Sequence, residues 1–185
     1  LFDTLSHLNY SIELITDPEE KKLIATLNHQ AGEKAKRSNS YQPALTFLKA
    51  GMDLLEDDQA TDLFKTILLT RSETEYLCGH HQESEKLFDQ ALKNAKSNLE
   101  KAPILAAKMS LYENTNRQLE AIKIALEGLR AVGVHLPEKP GTVNVLVELV
   151  KAKYYLRNKS IVDLKNNKNM DSAELLIAMK IPVNL

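Results

Sequence analysis

SYQPALTFLKAGMDLL, residues 40–55, is followed by two looser copies of itself, GHHQESEKLFDQALKNA at 79–95 and NRQLEAIKIALEGL at 116–129. Aligned on a small residue (Ala44, Ser84 and Ala121), the three copies agree at further columns. Four residues on stand Leu48, Phe88 and Ala125; seven on, Gly51, Ala91 and Gly128; eight on, Met52, Leu92 and Leu129. These offsets fall on one face of an α-helix, because a turn takes 3.6 residues. A glycine inside a helix costs roughly 1 kcal/mol relative to alanine. Its presence at the seventh offset in two copies predicts that another helix crosses closely there. Seventeen residues before each anchor stand Leu27, Ile67 and Ile104, on a preceding helix. The anchors lie 40 and 37 residues apart, which is the period of a solenoid built from helix pairs.

Working outward, helical periodicity continues almost everywhere. Phe2, Leu5, Leu8, Ile12 and Ile15 form one stripe. Asp17 is placed to cap a new helix, with Pro18 at its first position and Glu19 and Glu20 in its first turn. Ser40 is placed to cap the next helix, and Pro43 falls in that helix's first turn, where a missing N–H costs little. Gly79 suits a left-handed helix-ending position; Asn39 and Asn116 occupy the equivalent places. A Gly- and Pro-containing break at 133–141 ends the third copy. Thr142 is then placed to cap a helix with Val143, Leu146, Val147, Val150 and Tyr154 on its stripe. After a polar turn at 166–169, Asp171 to Glu174 open one more helix, which Pro182 interrupts. The expected architecture is all-α: one helical-repeat solenoid domain over 1–185, built from antiparallel helix pairs. The pairs span about 19–58, 61–97 and 100–132, with additional helices at 1–16, 142–157 and 172–181. An opening Leu1-Phe2-Asp3 and a stop just after Pro182 read as an array truncated at both ends.

Composition narrows the function classes. The chain is 43% apolar, enough for a continuous core, and its 6 Gly and 6 Pro are few for a turn-rich β fold. With 24 basic against 25 acidic residues, it lacks the basic excess that grips phosphate backbones, so nucleic acid is not expected as a partner. No apolar run approaches the length of a membrane span, so no membrane insertion is expected. A single cysteine, Cys78, excludes an intrachain disulfide and suggests a reducing, cytoplasmic setting.

The three copies resemble the second half of tetratricopeptide repeats, and Ala125 departs from the usual aromatic at its column. A more specific resemblance covers residues 1 to about 165. LITDPEE, AGEKAKRSNSYQPALTFLKAG, EYLCGHHQESEKLFDQAL and ALEGLRAVGVHLP resemble one region of large bacterial multidomain signalling proteins. In that family a protein kinase and a predicted signal-transduction ATPase precede these helices, and sensor modules, often with a histidine kinase, follow. The resemblance implies a non-catalytic scaffold for protein interaction and signal relay. Its partners would be protein segments or neighbouring domains of the same parent. The alternative is the inducer-sensing tetratricopeptide arm of a transcriptional activator ATPase.

No catalytic, cofactor or metal site is expected in this stretch. A phosphate loop ending in Lys-Ser/Thr is absent, as are the His-Arg-Asp and Asp-Phe-Gly strings of protein kinases. His7 sits in LSHLNYSIEL, which superficially resembles a phosphoacceptor helix, but Leu8 follows where an activating acid is needed. Cys78, His80 and His81 offer three soft ligands without a second cysteine pair, short of a closed zinc site. Glu56, Asp57, Asp58 and Asp62 lack the alternation and central Gly of a calcium loop. Lys34, Lys36 and Arg37 complement the dipole at a helix end. In tetratricopeptide arrays the first helix of each pair lines an inner groove. Carried over, that groove comprises His29, Glu33, Lys36 and Arg37; then Leu69, Glu73, Tyr76 and Leu77; then Ser110, Glu113 and Asn114. His29 and Glu33 break the cationic clamp that holds acidic chaperone tails. An apolar anchor near Tyr76 and Leu77 is the expected feature for a helical or extended partner.

Overall fold

The computed structural model describes residues 2–157, except 132 and 140. Among these the chain is helical throughout, with no strand. The helices are α1 (Phe2–Tyr10), α2 (Pro18–Arg37), α3 (Tyr41–Asp53), α4 (Asp62–Leu77), α5 (His81–Asn94), α6 (Asn98–Asn114), α7 (Gln118–Ala131) and α8 (Thr142–Leu156). The helix expected at 172–181, its Asp171–Glu174 start and the turn at 166–169 lie outside the described residues. The chain divides into two compact units, Leu1–Lys96 and Ser97–Leu185. The first carries α1 to α5; the described part of the second carries α6 to α8.

Helices pack in sequence order. In the first unit α2 pairs with α3 and α4 with α5, while α4 also meets α3 and, along one edge, α2. In the second unit α6 pairs with α7. Each pair closes with the same three-residue turn, centred on Asn39, Gly79 or Asn116. The central residue takes a positive φ: 57° at Asn39, 84° at Gly79 and 62° at Asn116. Glycine enters this region freely and asparagine more cheaply than other residues, which is why these two types occupy the turns. The next N–H then reaches back to a carbonyl near the end of the first helix. Ser40 donates to Ala35, His80 to Glu75 and Arg117 to Tyr112, each at 2.9 Å. A short turn of this kind forces the second helix to run antiparallel to the first.

The repeat columns form the interior. Ala44, Ser84 and Ala121 are buried, as are Leu48, Phe88 and Ala125, and Gly51, Ala91 and Gly128. A Cβ at Gly51 would stand 3.3 Å from Asn28 Cβ and 3.4 Å from both the Ala25 carbonyl oxygen and Ile67 Cδ1. Gly51 therefore sits where α3 crosses α2 and α4. On the first helix of each pair, the column twelve residues before the anchor carries Gly32, Ser72 and Met109, all buried. Gly32 faces Leu48, since an added Cβ would meet Leu48 Cγ at 2.7 Å. In the same two columns Ser72 accompanies Phe88 and Met109 accompanies Ala125: small with large in two pairs, large with small in the third. This reciprocity explains Ala125, where the resemblance called for an aromatic residue.

α1 meets α2 as α3 meets α4. The Asn9 and Asn28 amides exchange hydrogen bonds of 2.7 and 2.9 Å, and Arg71 Nη1 lies 3.6 Å from Met52 Sδ. Both contacts span 19 residues. Each helix is followed by a 3-10 turn, Ile12–Leu14 or Glu56–Asp58, and then by a capped helix start. The Asp17 carboxylate accepts from Glu20 N–H at 2.9 Å, and Thr61 Oγ1 accepts from Phe64 N–H at 3.3 Å.

Three local expectations are corrected. The helix read over 1–16 ends at Tyr10, because the chain tightens into the 3-10 turn before Asp17. Ser40 holds the capping position of α3 without a side-chain bond, since Pro43, three residues on, has no N–H to offer its hydroxyl. Gly141, not Thr142, precedes the first residue of α8.

Candidate functional site

The face carried over from the repeat family lies, in the first unit, along the edge where α2 meets α4. Steps of four and three residues on α2 align His29, Glu33 and Lys36, and a three-residue step on α4 aligns Thr70 and Glu73. The two rows meet. His29 Nε2 lies 3.4 Å from Thr70 Oγ1, and the Lys36 ammonium pairs with the Glu73 carboxylate. Glu33 stands 3.8 Å from Lys36 Nζ and 3.4 Å from Arg37 Nη2, whose side chain is 80% exposed. Burial lowers the pKa of His29 from its ordinary value; Glu33 opposes this and Lys36 adds to it. The edge is thus a half-buried polar seam in which compensated charges face an imidazole whose protonation burial disfavours.

The remaining first-unit positions separate. Leu69 is half-buried and Leu77 is 38% exposed. Tyr76 is only 3% exposed, and its ring centroid lies 4.6 Å from that of His81 on α5. It fills the interior of its own pair. The apolar surface expected around Tyr76 and Leu77 therefore reduces to Leu77. In the second unit Ser110 and Glu113 are half-buried and Asn114 is exposed, all on α6. Beside them Tyr112 is buried under the Arg117 guanidinium, 4.3 Å from the ring centroid, a cation–π stack that fixes the turn into α7.

A second cluster escaped the sequence reading. The Glu75 side chain is 1% exposed. Its Oε2 lies 2.7 Å from His80 Nδ1, and its Oε1 lies 3.4 Å from Lys49 Nζ and 3.6 Å from Arg71 Nε. Arg71 Nη2 reaches on to Glu83 at 3.7 Å. Burial pushes the Glu75 carboxyl up, but the bond to His80 and the charges of Lys49 and Arg71 outweigh it and hold the pKa below the usual value. One signal existed: the equivalent positions carry Ala35 and Tyr112, so a glutamate stands in a column that is otherwise buried. A buried carboxylate demands partners, and the sequence does not say which side chains on α3 and α5 come near.

The cluster reaches the soft-ligand trio. His80 is engaged with Glu75 and His81 with Tyr76, while burial, the leading cause, and the Glu75 charge raise the Cys78 thiol pKa. Among the described residues no group of three or more His, Cys, Asp and Glu side chains is placed to hold a metal ion. No helix among them is long and apolar enough to cross a membrane.

No family model matches the chain, and no solved structure matches it. It is similar to a segment of the hybrid signal transduction histidine kinase G of Dictyostelium discoideum, with 26% identity over 178 residues. The match takes in 90% of this chain and 5% of that protein, so the chain spans about a twentieth of the relative's length.

Proposed function

We propose that this chain is a non-catalytic interaction and signal-relay module within a larger, cytoplasmic signalling protein. Its working surface in the first unit is the face of the paired first helices: His29, Glu33, Lys36, Arg37, Leu69, Glu73 and Leu77. The observation that carries the reading is the α2–α4 seam, where first helices of successive pairs lie side by side and join through half-buried polar contacts. Stacked helix pairs offer an extended surface for a partner segment, and a seam held by polar contacts can open at lower cost than a packed apolar core. The similarity to part of a hybrid histidine kinase supports a place in a signalling chain. The partner is a protein segment or a neighbouring domain of the same parent. Ser110, Glu113 and Asn114 form the corresponding face of the second unit.

Hydrogen exchange on the intact parent, with and without nucleotide, tests the reading. Protection should change along 29–37 and 69–77 and remain constant along 84–95, on the outer helix of the second pair. Changes confined to the outer helices would sink it.

A further inference from the structure

The first unit also holds a cleft at the start of α2, the opposite end of that helix from Lys36 and Arg37. Its volume is about 240 Å³, and it lies between the beginning of α2, the 3-10 turn that follows α3, and the beginning of α4. Pro18, Leu54, Leu55 and Leu63 give it an apolar lining. Sites for small molecules run from roughly 300 to 1,000 Å³, so this cleft suits a single apolar side chain better than a whole metabolite.

Charge decides what can flank that side chain. Glu19, Asp57 and Asp58 stand at the cleft, and none of the three is ion-paired among the described residues. Lys21 and Lys22 share the wall, but the surroundings are acidic. Residues 13–22 and 53–65 hold nine acids and three lysines, and one of those lysines, Lys65, is engaged by Asp62 at 3.5 Å. An anion would look to the two helix N-termini that open here. Both are capped from within the chain: Asp17 accepts from Glu20 N–H at 2.9 Å, and Thr61 Oγ1 from Phe64 N–H at 3.3 Å. We propose that the cleft docks a basic protein segment. One apolar side chain enters against Leu54, Leu55 and Leu63, and lysines or arginines beside it meet Glu19, Asp57 and Asp58. The apolar anchor supplies affinity, and the acidic rim supplies selection by charge. This surface is separate from the α2–α4 seam and does not depend on it.

The test titrates the full chain with blocked peptides, followed by calorimetry and by amide chemical shifts. The first peptide has lysines and glycines around a central phenylalanine; the second has glycine in place of the phenylalanine; the third has glutamates in place of the lysines. The first should bind about tenfold or more tightly than either of the others. Its shifts should centre on 16–22 and 54–63, and its affinity should fall as salt rises. Asp57→Asn combined with Asp58→Asn should weaken it by about fivefold or more without lowering the melting midpoint, since both side chains are exposed. The proposal is overturned if the first peptide does not bind at millimolar concentration, or if the phenylalanine or the sign of charge makes no difference. Shifts along 29–37 and 69–77 instead, or unchanged affinity in the double variant, overturn it too. Sedimentation of the chain alone should show a monomer. Self-association that the double variant abolishes would assign the cleft to a second copy and overturn the proposal.

Discussion

Gly51 has almost no space beside it: three neighbours on two helices stand 3.3 to 3.4 Å from where a Cβ would go. Gly51→Leu should therefore destabilise the first unit by roughly 1–3 kcal/mol through overpacking, seen as a lower urea midpoint. An unchanged midpoint would mean the crossing is looser than described. This position was legible in advance, because a small-residue column repeated at helical spacing marks the place where another helix comes close. His29 makes a pH prediction. Its pKa is lowered in the folded chain from the ordinary 6.5, so as pH falls the unfolded chain takes up the proton first. Its contribution to stability is complete above about pH 6.5, declines as pH falls toward the folded-state pKa, and does not change below that. Denaturation at several pH values should show His29→Gln flattening this part of the profile; an identical slope in the variant would contradict the burial. Glu75 acts in a lower window. Its carboxyl is held below the ordinary 4.5, so its stabilisation is present above that value and is lost as pH falls through the depressed pKa. Neither shift could be read from sequence, since each depends on side chains brought in from another helix. Tyr76 teaches the same lesson, its helix face being readable and the ring that covers it being supplied by the next helix.

The intrapair turn is the element that most directly converts sequence into architecture. Gly79 has nothing within 4 Å of where a Cβ would stand, so Gly79→Ala tests backbone conformation alone. A melt should show a loss of about 1–2 kcal/mol, the penalty for an L-residue in the left-handed region. Asn116→Gly should be neutral or slightly stabilising by the same reasoning. If Gly79→Ala melts like the parent, the left-handed turn is wrong. Turn centres and the start of α2 were legible because Gly, Asn and the capping Asp17 carry local physics. The end of α1 was not. Ile12 and Ile15 keep the apolar spacing going, and periodicity alone does not register that the chain has tightened to three residues per turn.

For the whole molecule, far-ultraviolet circular dichroism should report helix without a strand component; a substantial strand signal would overturn the architecture. The first unit's helices bury their apolar residues largely within it, so residues 1–96 expressed alone should unfold cooperatively. A chain that melts without a transition would show that the second unit is needed to complete that core. Helix pairing and repeat length were visible in the sequence through recurrence. The polar ties that bind α4 on three sides were not: Lys36–Glu73 toward α2, Lys49–Glu75 toward α3, and the Ser84 hydroxyl donating to the Ser72 carbonyl at 2.7 Å toward α5.

The reciprocal sizes of Gly32 with Leu48 and Met109 with Ala125 bear on how the chain avoids misassembly. Three near-copies of one hairpin invite the wrong halves to join while the polypeptide is still searching, a characteristic hazard of repeat proteins. If α6 took α3 as its mate, Met109 would be driven into Leu48; if α2 took α7, Gly32 opposite Ala125 would leave a hollow. Either exchange costs stability at the centre of the contact. Volume therefore keeps the halves of the third pair from joining those of the first, while Ser72 with Phe88 repeats the small-with-large pattern and leaves the first two pairs to be told apart by other contacts.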